Sequence, residues 1–281
     1  MKRLSLMLFC VLFLGQSAFS QDNTYSNNVG LDIIYEGESL SARNIEKIER
    51  MSEYMTDFYS KLGLSDDLQI HLKVFKTQEE GYGYINSIYP DRKQYRKTRS
   101  DEYFGTGTSG LYIPKMQTAV ILGLEQGIDR GVRVIFHELS HHFTRRLFEN
   151  RTPPIWLNEG LAEHFESMTY SKKNGWTSDV SDMEKGRLRT LYMLGELDLE
   201  GLFDMSRNEF MAKHKNEGQV YYSFAHVAVV VLMKNLDHSE LAVLMSRLDN
   251  RSTDVIQSSV VSDLFPGGME AYKRAVYEFI R

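Results

Sequence analysis

The spacing of apolar residues changes several times along the chain, and each change predicts a different element. Apolar residues recur every second position in Leu68–Phe75, which is typical of a half-buried strand. They recur every third or fourth position in Ala42–Leu62, which predicts a helix with one buried face. A further helix is predicted at Gln78–Ile88, and further strands at Leu31–Tyr35, Gly110–Ile113 and Thr118–Leu122, the last two as a hairpin.

The next helical pattern combines an apolar stripe with a His-containing face. The stripe consists of Val132, Ile135, Phe136, Leu139, Phe143 and Leu147. At roughly 100° per residue, His137 and His141 lie about 140° and 180° from Val132, on the side away from the stripe. Glu138 flanks the same face. The pattern therefore predicts a helix that buries one side and presents two imidazoles on the other.

The remaining half of the chain has a mostly helical pattern, from Glu159 to Arg281. The chain is therefore predicted to be an α+β protein with a single domain over residues 31–281. Residues 31–148 are expected to form a small mixed α/β lobe that includes the helix with the His pair, and residues 149–281 a helical lobe. The polar residues 21–30 are expected to be a flexible N-terminus.

The first 20 residues have the features of a secretory signal peptide. Two basic residues precede an apolar run from Leu4 to Leu14, and Ala18-Phe19-Ser20 follow. Cleavage is expected after Ser20, with export to a periplasm or the extracellular space. The apolar run is too short to span a bilayer comfortably, so no membrane span is expected in the mature chain. The only cysteine, Cys10, would be lost, and an exported chain without disulfides is more typical of a bacterial periplasm.

Neither the charge of the chain nor its glycine-rich stretch favours a nucleic-acid or dinucleotide partner. The chain has 33 Lys and Arg residues against 38 Asp and Glu residues, so no nucleic-acid partner is expected. Gly105–Gly110 formally matches the GxGxxG signature of dinucleotide sites. Acidic residues precede it in place of a buried strand, and Pro114 prevents a helix from starting after it. We therefore interpret this stretch as a turn.

His137-Glu138-Leu139-Ser140-His141 has the HExxH spacing of zinc hydrolases. Two His one helical turn apart can bind one metal ion, and the Glu between them can act as a base. With eight His and at most 38 Glu in 281 residues, about 0.03 chance matches are expected. A solvated polar face is the alternative for a lone His pair, so the neighbouring sequence has to decide between the two.

A catalytic zinc site needs a third protein ligand and an open position. Pro153-Pro154 is expected to break the first helix and to let the chain fold back toward His141. The helix predicted next has Glu159, Glu163 and Glu166 on one face, opposite an apolar face. Such a carboxylate face is ordinarily solvated, so its meaning depends on whether it lies next to the His pair.

Together, the HExxH motif and the Trp156–Glu163 stretch resemble the gluzincin zinc metallopeptidases, the group of thermolysin and aminopeptidase N. They are most similar to small bacterial peptidase MA-like domains, which carry comparable Trp-Leu-x-Glu-Gly-x-Ala-Glu stretches. The resemblance implies a zincin-like fold with Zn²⁺ between a mixed lobe and a helical lobe, and hydrolysis of a peptide or protein substrate. It implies the following site: His137, His141 and Glu159 as zinc ligands, Glu138 as general base, and Glu163 as the carboxylate that orients a ligand His.

The same resemblance implies two further roles. A Tyr that stabilises the oxyanion opens a similarly placed helix in aminopeptidase N relatives, which corresponds to Tyr222, or alternatively to Tyr221; a core or rim position is the other interpretation. Gly110–Ile113 corresponds to the antiparallel edge strand that pairs with extended substrate. The Gly-x-Met-x-Asn stretch that holds a substrate amino terminus is absent upstream of HExxH, which favours an endopeptidase or a specialised peptidase.

Two other functions stay open at this point. The same site can hydrolyse a substrate other than a peptide, and the chain can be a secreted binding module that keeps the zincin fold without catalysis. The other His residues near the motifs are interpreted as structural. His142 points about 100° away from its ligand neighbour, His164 lies off the carboxylate face, and His226 lies among apolar residues.

Overall fold

The structure is a computed structural model, and it describes residues 23–26, 30–65, 67–90, 109–125, 127–217, 220–249 and 255–281. The predicted signal peptide and most of the GxGxxG-like stretch lie outside these ranges. Within them, every helix is too short or too polar to cross a lipid bilayer. In the segment predicted to be a flexible N-terminus, Asn23–Ser26 form a strand, β1, because their backbone pairs with the next strand.

A five-stranded sheet forms the centre of the first lobe. Its strands lie in the order β1-β2-β3-β5-β4, with β2, β3 and β5 parallel and the edge strands β1 and β4 antiparallel to their neighbours. The elements of this lobe are β1, β2 (Leu31–Gly37), α1 (Ala42–Lys61), β3 (Leu68–Val74), α2 (Gln78–Ile88), β4 (Gly110–Ile113), a 3-10 turn (Pro114–Met116) and β5 (Thr118–Ile121).

Local sequence explains where these elements begin and which face they bury. The hydroxyl of Ser41 accepts the backbone N–H of Asn44 and caps α1, and Thr77 and Glu80 form a capping box at the start of α2. In β3, alternate residues from Leu68 onward are buried, as the period-two pattern predicts. The predicted helix at Gln78–Ile88 and the hairpin that begins at Gly110 are confirmed.

The second half of the described chain is mostly helical. Its elements are α3 (Ile128–Leu147), α4 (Ile155–Glu166), β6 (Thr169–Ser171), β7 (Gly175–Thr177), α5 (Asp182–Leu194), α6 (Leu199–Asp204), α7 (Arg207–Glu217), α8 (Val220–Asn235), α9 (His238–Leu248), α10 (Gln257–Leu264) and α11 (Gly268–Ile280). The short hairpin β6–β7 has no counterpart in the sequence prediction, because its strands are too short and too exposed to show an apolar alternation.

Most of the buried apolar side chains form one large core that runs from Leu31 in β2 to Ile280 in α11, and a smaller cluster that includes Tyr82 and Ile85 lies beneath α2. The mixed α+β architecture with an antiparallel edge strand and a helical second half is therefore confirmed. The core also fixes the helix that carries the HExxH residues. At the side of α3 that faces α1, the hydroxyl of Tyr59 lies 2.7 Å from the hydroxyl of Thr144 and 3.1 Å from that of Ser140.

Helix α4 lies between α3 and α8, and a glycine permits its close approach to α8. A Cβ atom on Gly160 would lie 2.4 Å from the carbonyl oxygen of Ala225 and 2.6 Å from Cγ2 of Val229. No side chain fits at this crossing, since ordinary contacts begin at about 3.4 Å. This approach holds the first turns of α4, which include Glu159, against the centre of the molecule.

Candidate metal centre

The chain reverses direction between α3 and α4 in a way that the sequence pattern does not show. Helix α3 ends at Leu147, and Glu149 and Asn150 follow in the left-handed region with φ of 48° and 64°. The backbone N–H of Asn150 donates to the carbonyl of Arg145 at 2.8 Å, which satisfies one of the terminal helix carbonyls. The expectation that Pro153-Pro154 breaks the helix was wrong: the helix has already ended, and Pro154 serves as the N-cap of α4.

The stripe and the His face of α3 lie as the periodicity predicts. Val132, Ile135, Phe136, Leu139 and Phe143 are fully buried. On the opposite side, the side chains of His137 and His141 are 13% and 12% exposed, so these rings are enclosed but reachable from solvent.

Three donor atoms from α3 and α4 converge on one point. The Nε2 atoms of His137 and His141 each lie 3.7 Å from Oε2 of Glu159. Ligand atoms about 2.1 Å from a tetrahedrally coordinated ion are about 3.4 Å apart, so this spacing suits a small dication. The side chain of Asn158 donates to the other carboxylate oxygen, Oε1 of Glu159, at 3.2 Å, which leaves Oε2 directed at the rings. His137, His141 and Glu159 can therefore hold a metal ion.

The protonation states of Glu159 and His141 also suit the binding of a cation. Burial raises the pKa of Glu159, but His141, His137 and the nearby Arg207 outweigh it and lower the pKa to about 2. Burial lowers the pKa of His141 to about 4, opposed by Glu159. At neutral pH the carboxylate is ionised and this imidazole is neutral, which are the protonation states that metal ligands require.

His137 differs from His141 because carboxylates lie on both sides of its ring. Burial lowers its pKa, but the Glu159 carboxylate and a hydrogen bond to Glu166 raise it well above 6.5. Nδ1 of His137 lies 2.9 Å from Oε2 of Glu166 and 3.8 Å from Oε1 of Glu163. Glu166 is thus the hydrogen-bond partner of this ring in the structure, whereas Glu163, for which the resemblance implies that role, lies further away.

The protonation of Glu163 depends on the other groups of the centre. Burial raises its pKa to about 8, and Glu166, Glu184 and Glu159 add to the rise while His137 opposes it. His137, Glu163 and Glu166 also form a second group of potential ligand atoms. Because the Nδ1 atom of His137 is already bound to Glu166, this group is explained as the outer support of the ring.

Glu138 lies beside the three donors and is buried against strand β4. Burial raises the pKa of Glu138 to about 8; His137 and a hydrogen bond from the backbone N–H of Tyr112 oppose the rise, and Glu159 and Glu166 add to it. A carboxyl group with a pKa near neutrality can both accept and return a proton, as general acid–base catalysis requires. The arrangement therefore places a titratable carboxyl group next to the candidate metal position.

Strand β4 forms the edge of the sheet nearest to Glu138. The backbone N–H of Leu122 donates to the carbonyl of Ser109 at 2.9 Å, and the register pairs Gly110 with Ile121 and Tyr112 with Ala119. In an antiparallel ladder the hydrogen-bonding residues alternate, so the backbone groups of Gly110 and Tyr112 point away from β5. No strand of the described ranges pairs with this outer edge.

The two candidate tyrosines lie in different surroundings. The pKa of Tyr222 is raised well above 10 by burial and by Glu159, Glu163 and Glu138, which places its hydroxyl within electrostatic range of the candidate metal position. The ring of Tyr221 packs edge-on against Phe210 at 6.0 Å and lies near the ammonium group of Lys213. Tyr222 is therefore electrostatically coupled to the carboxylates of the centre.

The three His residues interpreted as structural lie away from the donor atoms. Nδ1 of His142 lies 2.9 Å from the hydroxyl of Tyr112, and Nδ1 of His226 lies 2.9 Å from Oε1 of Glu184. His164 is buried beside His226, with a ring separation of 6.3 Å, and neither of its nitrogens has a hydrogen-bond partner in the described structure.

Sequence reasoning missed three residues of this centre. Asn158 orients Glu159, Glu166 supports His137, and Arg207, at the start of α7, adds a positive charge near Glu159 and His141. The carboxylate face identified in the sequence contains Glu166, but spacing alone cannot tell which carboxylate meets which ring. No sequence signal places Arg207 here, because it belongs to another helix.

Comparisons with protein-family models, with curated proteins and with solved structures gave no match to this chain.

Proposed function

We propose that this chain is a zinc metallopeptidase of the gluzincin type that hydrolyses peptide bonds. The observation that carries the proposal is the convergence of two imidazole nitrogens and one carboxylate oxygen at 3.7 Å, with the buried carboxyl group of Glu138 beside them. Two His and one Glu are the donor set of catalytic zinc sites that keep a position for water. The HExxH spacing of the sequence supports the same conclusion.

His137, His141 and Glu159 would hold the ion, and Asn158 and Glu166 would fix the orientation of two of these ligands. Such outer hydrogen bonds set the tautomer and direction of ligand groups and tune their basicity. When bound, a zinc ion supplies Lewis-acid chemistry, because it polarises a carbonyl group and lowers the pKa of water to roughly 7.

Glu138 is the proton carrier of the proposed reaction. Its carboxylate takes a proton from a water molecule as the water oxygen bonds to the scissile carbonyl carbon. The same proton then passes from Glu138 to the amide nitrogen as the carbon–nitrogen bond breaks, which yields a carboxylic acid and an amine. Positioned acid–base catalysis of this type contributes roughly 10²–10⁴ in rate. Tyr222 donates its hydroxyl proton in a hydrogen bond to the oxygen on which charge develops.

The outer edge of β4 supplies the means to bind an extended peptide. The backbone groups of Gly110 and the carbonyl of Tyr112 point away from β5 next to Glu138. A peptide that adds to a sheet edge gains main-chain hydrogen bonds that do not depend on its side chains. This supports action on extended internal segments of peptides or proteins, as expected of an endopeptidase.

The central experiment combines metal analysis with peptide cleavage. We expect the purified chain to contain about one zinc ion per molecule and to cut peptides in a chelator-sensitive manner, with cut sites identified by mass spectrometry. Glu138→Gln should keep the zinc and lose hydrolysis, whereas His137→Ala should lose both. Glu53→Gln, on an exposed position of α1, is the matched control and should behave like the parent.

The possible outcomes separate the proposal from its alternatives. Hydrolysis that persists in Glu138→Gln would contradict the role of the base. Cleavage of esters but not of peptides would assign a zinc hydrolase with another substrate. Bound zinc with no hydrolysis of any substrate would favour a binding module. We also propose that the chain is exported, and the N-terminal mass of the protein recovered from its producing cells tests cleavage after Ser20.

A further inference from the structure

Strand β4 passes so close to Glu138 that no side chain fits at position 110. A Cβ atom on Gly110 would lie 2.6 Å from Oε1 and 2.9 Å from Cγ of Glu138, and 2.6 Å from Cγ1 of Val134. Contacts this short do not occur between real atoms of these types, so an added methyl group must displace either the strand or the carboxylate. Gly110 therefore allows the backbone of β4 to form one wall around Glu138.

Two residues further along the same strand, Tyr112 contacts α3 through both its backbone and its side chain. Its backbone lies close enough to the carboxylate of Glu138 to lower the pKa of that group. Its hydroxyl lies 2.9 Å from Nδ1 of His142, and the two rings meet edge-on with centroids 5.5 Å apart. His142 is fully buried, so the position of its ring is fixed by the core. The hydroxyl contact thus fixes the strand relative to the helix that carries Glu138.

We propose that Gly110 and Tyr112 are positioning residues that hold the carboxylate of Glu138 in one orientation, with Tyr112 acting through its bond to His142. The inference rests on the proposed function for its catalytic consequence. It goes beyond that function because the strand whose outer edge is proposed to bind substrate would also fix the orientation of the Glu138 carboxylate. Occupation of that edge and alignment of the base are then coupled through the same few residues.

Gly110→Ala is the most direct test. A displacement of about 1 Å at a reacting group can cost about 100-fold in rate, so we expect kcat to fall by about 10–100-fold. Zinc content should stay at the parent level, because none of the three proposed ligands meets the added methyl group. The matched control is Gly83→Ala in α2, where an added Cβ meets nothing within 4 Å, and it should keep the parent's kcat.

Tyr112→Phe tests the second contact without adding any atom. Loss of this hydrogen bond weakens the attachment of the strand to α3, so we expect kcat to fall by about 2–10-fold with KM little changed. Tyr272→Phe is the matched control, because it removes a buried hydroxyl bond of 2.8 Å to Ala228 in the helical lobe. The control should lower the melting temperature at least as much while keeping the parent's kcat.

Variants of His142 distinguish positioning from general stability. The side-chain oxygen of Asn can take the place of Nδ1, so His142→Asn should retain most of the turnover that His142→Ala loses. Tyr112→Phe should have little further effect in the His142→Ala background. Equal turnover in the Asn and Ala variants, or a kcat that follows the melting temperature across all variants and controls, would overturn the proposal.

A crystal structure of Gly110→Ala provides a result that does not depend on activity. If β4 holds the carboxylate, the Glu138 side chain must move or turn in this variant even where the strand itself is displaced, and an unmoved carboxylate would refute the proposal even if the parent proved inactive. Conversely, a parent chain that binds no zinc and cuts no peptide would refute the proposed function, while displacement of Glu138 in the variant would still establish the contact. The two failures are therefore distinguishable.

Discussion

The crossing of α4 and α8 gives a prediction whose size follows from measured contacts. In Gly160→Ala the new methyl carbon would lie 2.4 Å from the carbonyl oxygen of Ala225, against about 3.4 Å for an ordinary contact. The two helices must therefore separate by about 1 Å, since a helix carbonyl cannot rotate away as a side chain can. Such overpacking costs about 1–3 kcal/mol, and the helix propensity of Ala returns about 1 kcal/mol.

The matched control is Gly186→Ala in α5, where an added Cβ meets nothing within 4 Å. There only the propensity term applies, so the free energy of unfolding should rise by up to about 1 kcal/mol. Because the propensity gain is common to both variants, we expect them to differ by the overpacking cost of about 1–3 kcal/mol, with Gly160→Ala no more stable than the parent. For a chain of this size that difference corresponds to about 2–12 °C in melting temperature.

Urea unfolding followed by circular dichroism, with chelator present, measures this difference without a contribution from bound metal. Zinc titration then measures the second consequence, because a displaced α4 moves Glu159 away from His137 and His141. We expect zinc affinity to fall in Gly160→Ala and to stay at the parent level in Gly186→Ala. A Gly160→Ala variant as stable as the Gly186→Ala control would refute the packing argument.

Three further predictions concern the chemistry of the centre. Tyr222→Phe should lower kcat by about 10²–10³-fold at unchanged zinc content, and Tyr221→Phe tests the alternative residue. A Tyr222→Phe variant with the turnover of the parent would exclude Tyr222 from the oxyanion role. Burial and the neighbouring His226 lower the pKa of His164 from 6.5 to about 3, so the unfolded chain binds the proton more readily between these values. The free energy of unfolding should consequently fall as the pH drops below 6.5, and this residue should account for a loss of about 2 kcal/mol at pH 5. His164→Phe should remove that loss, which urea unfolding at pH 8 and pH 5 measures. An identical loss in the variant would contradict the assignment. Zinc at a 100-fold excess over its dissociation constant should stabilise the parent by about 2.7 kcal/mol in thermal unfolding, and an equal gain in Glu159→Gln would exclude Glu159 as a ligand.

The elements nearest the centre show how far sequence reasoning reaches. The apolar stripe of α3 predicted both the helix and the side on which His137 and His141 lie, since the 3.6-residue period fixes the direction of every side chain in a helix. The strand at Gly110–Ile113 and its antiparallel partner followed from short apolar runs beside turn residues. The position of the reversal after α3 did not follow, because the left-handed conformations of Glu149 and Asn150 carry no apolar signal.

By itself, the sequence determined the residue types and their spacing: a His pair one turn apart, a carboxylate face on the next helix, and the strands that flank them. These are local properties, decided by interactions among residues a few positions apart. The tertiary structure alone decided that Glu159 faces both imidazoles, that Glu166 binds His137, and that the backbone of β4 lies against Glu138. Those contacts join residues from 18 to 29 positions apart, and they depend on how helices and sheet pack around a common core, which no local pattern specifies.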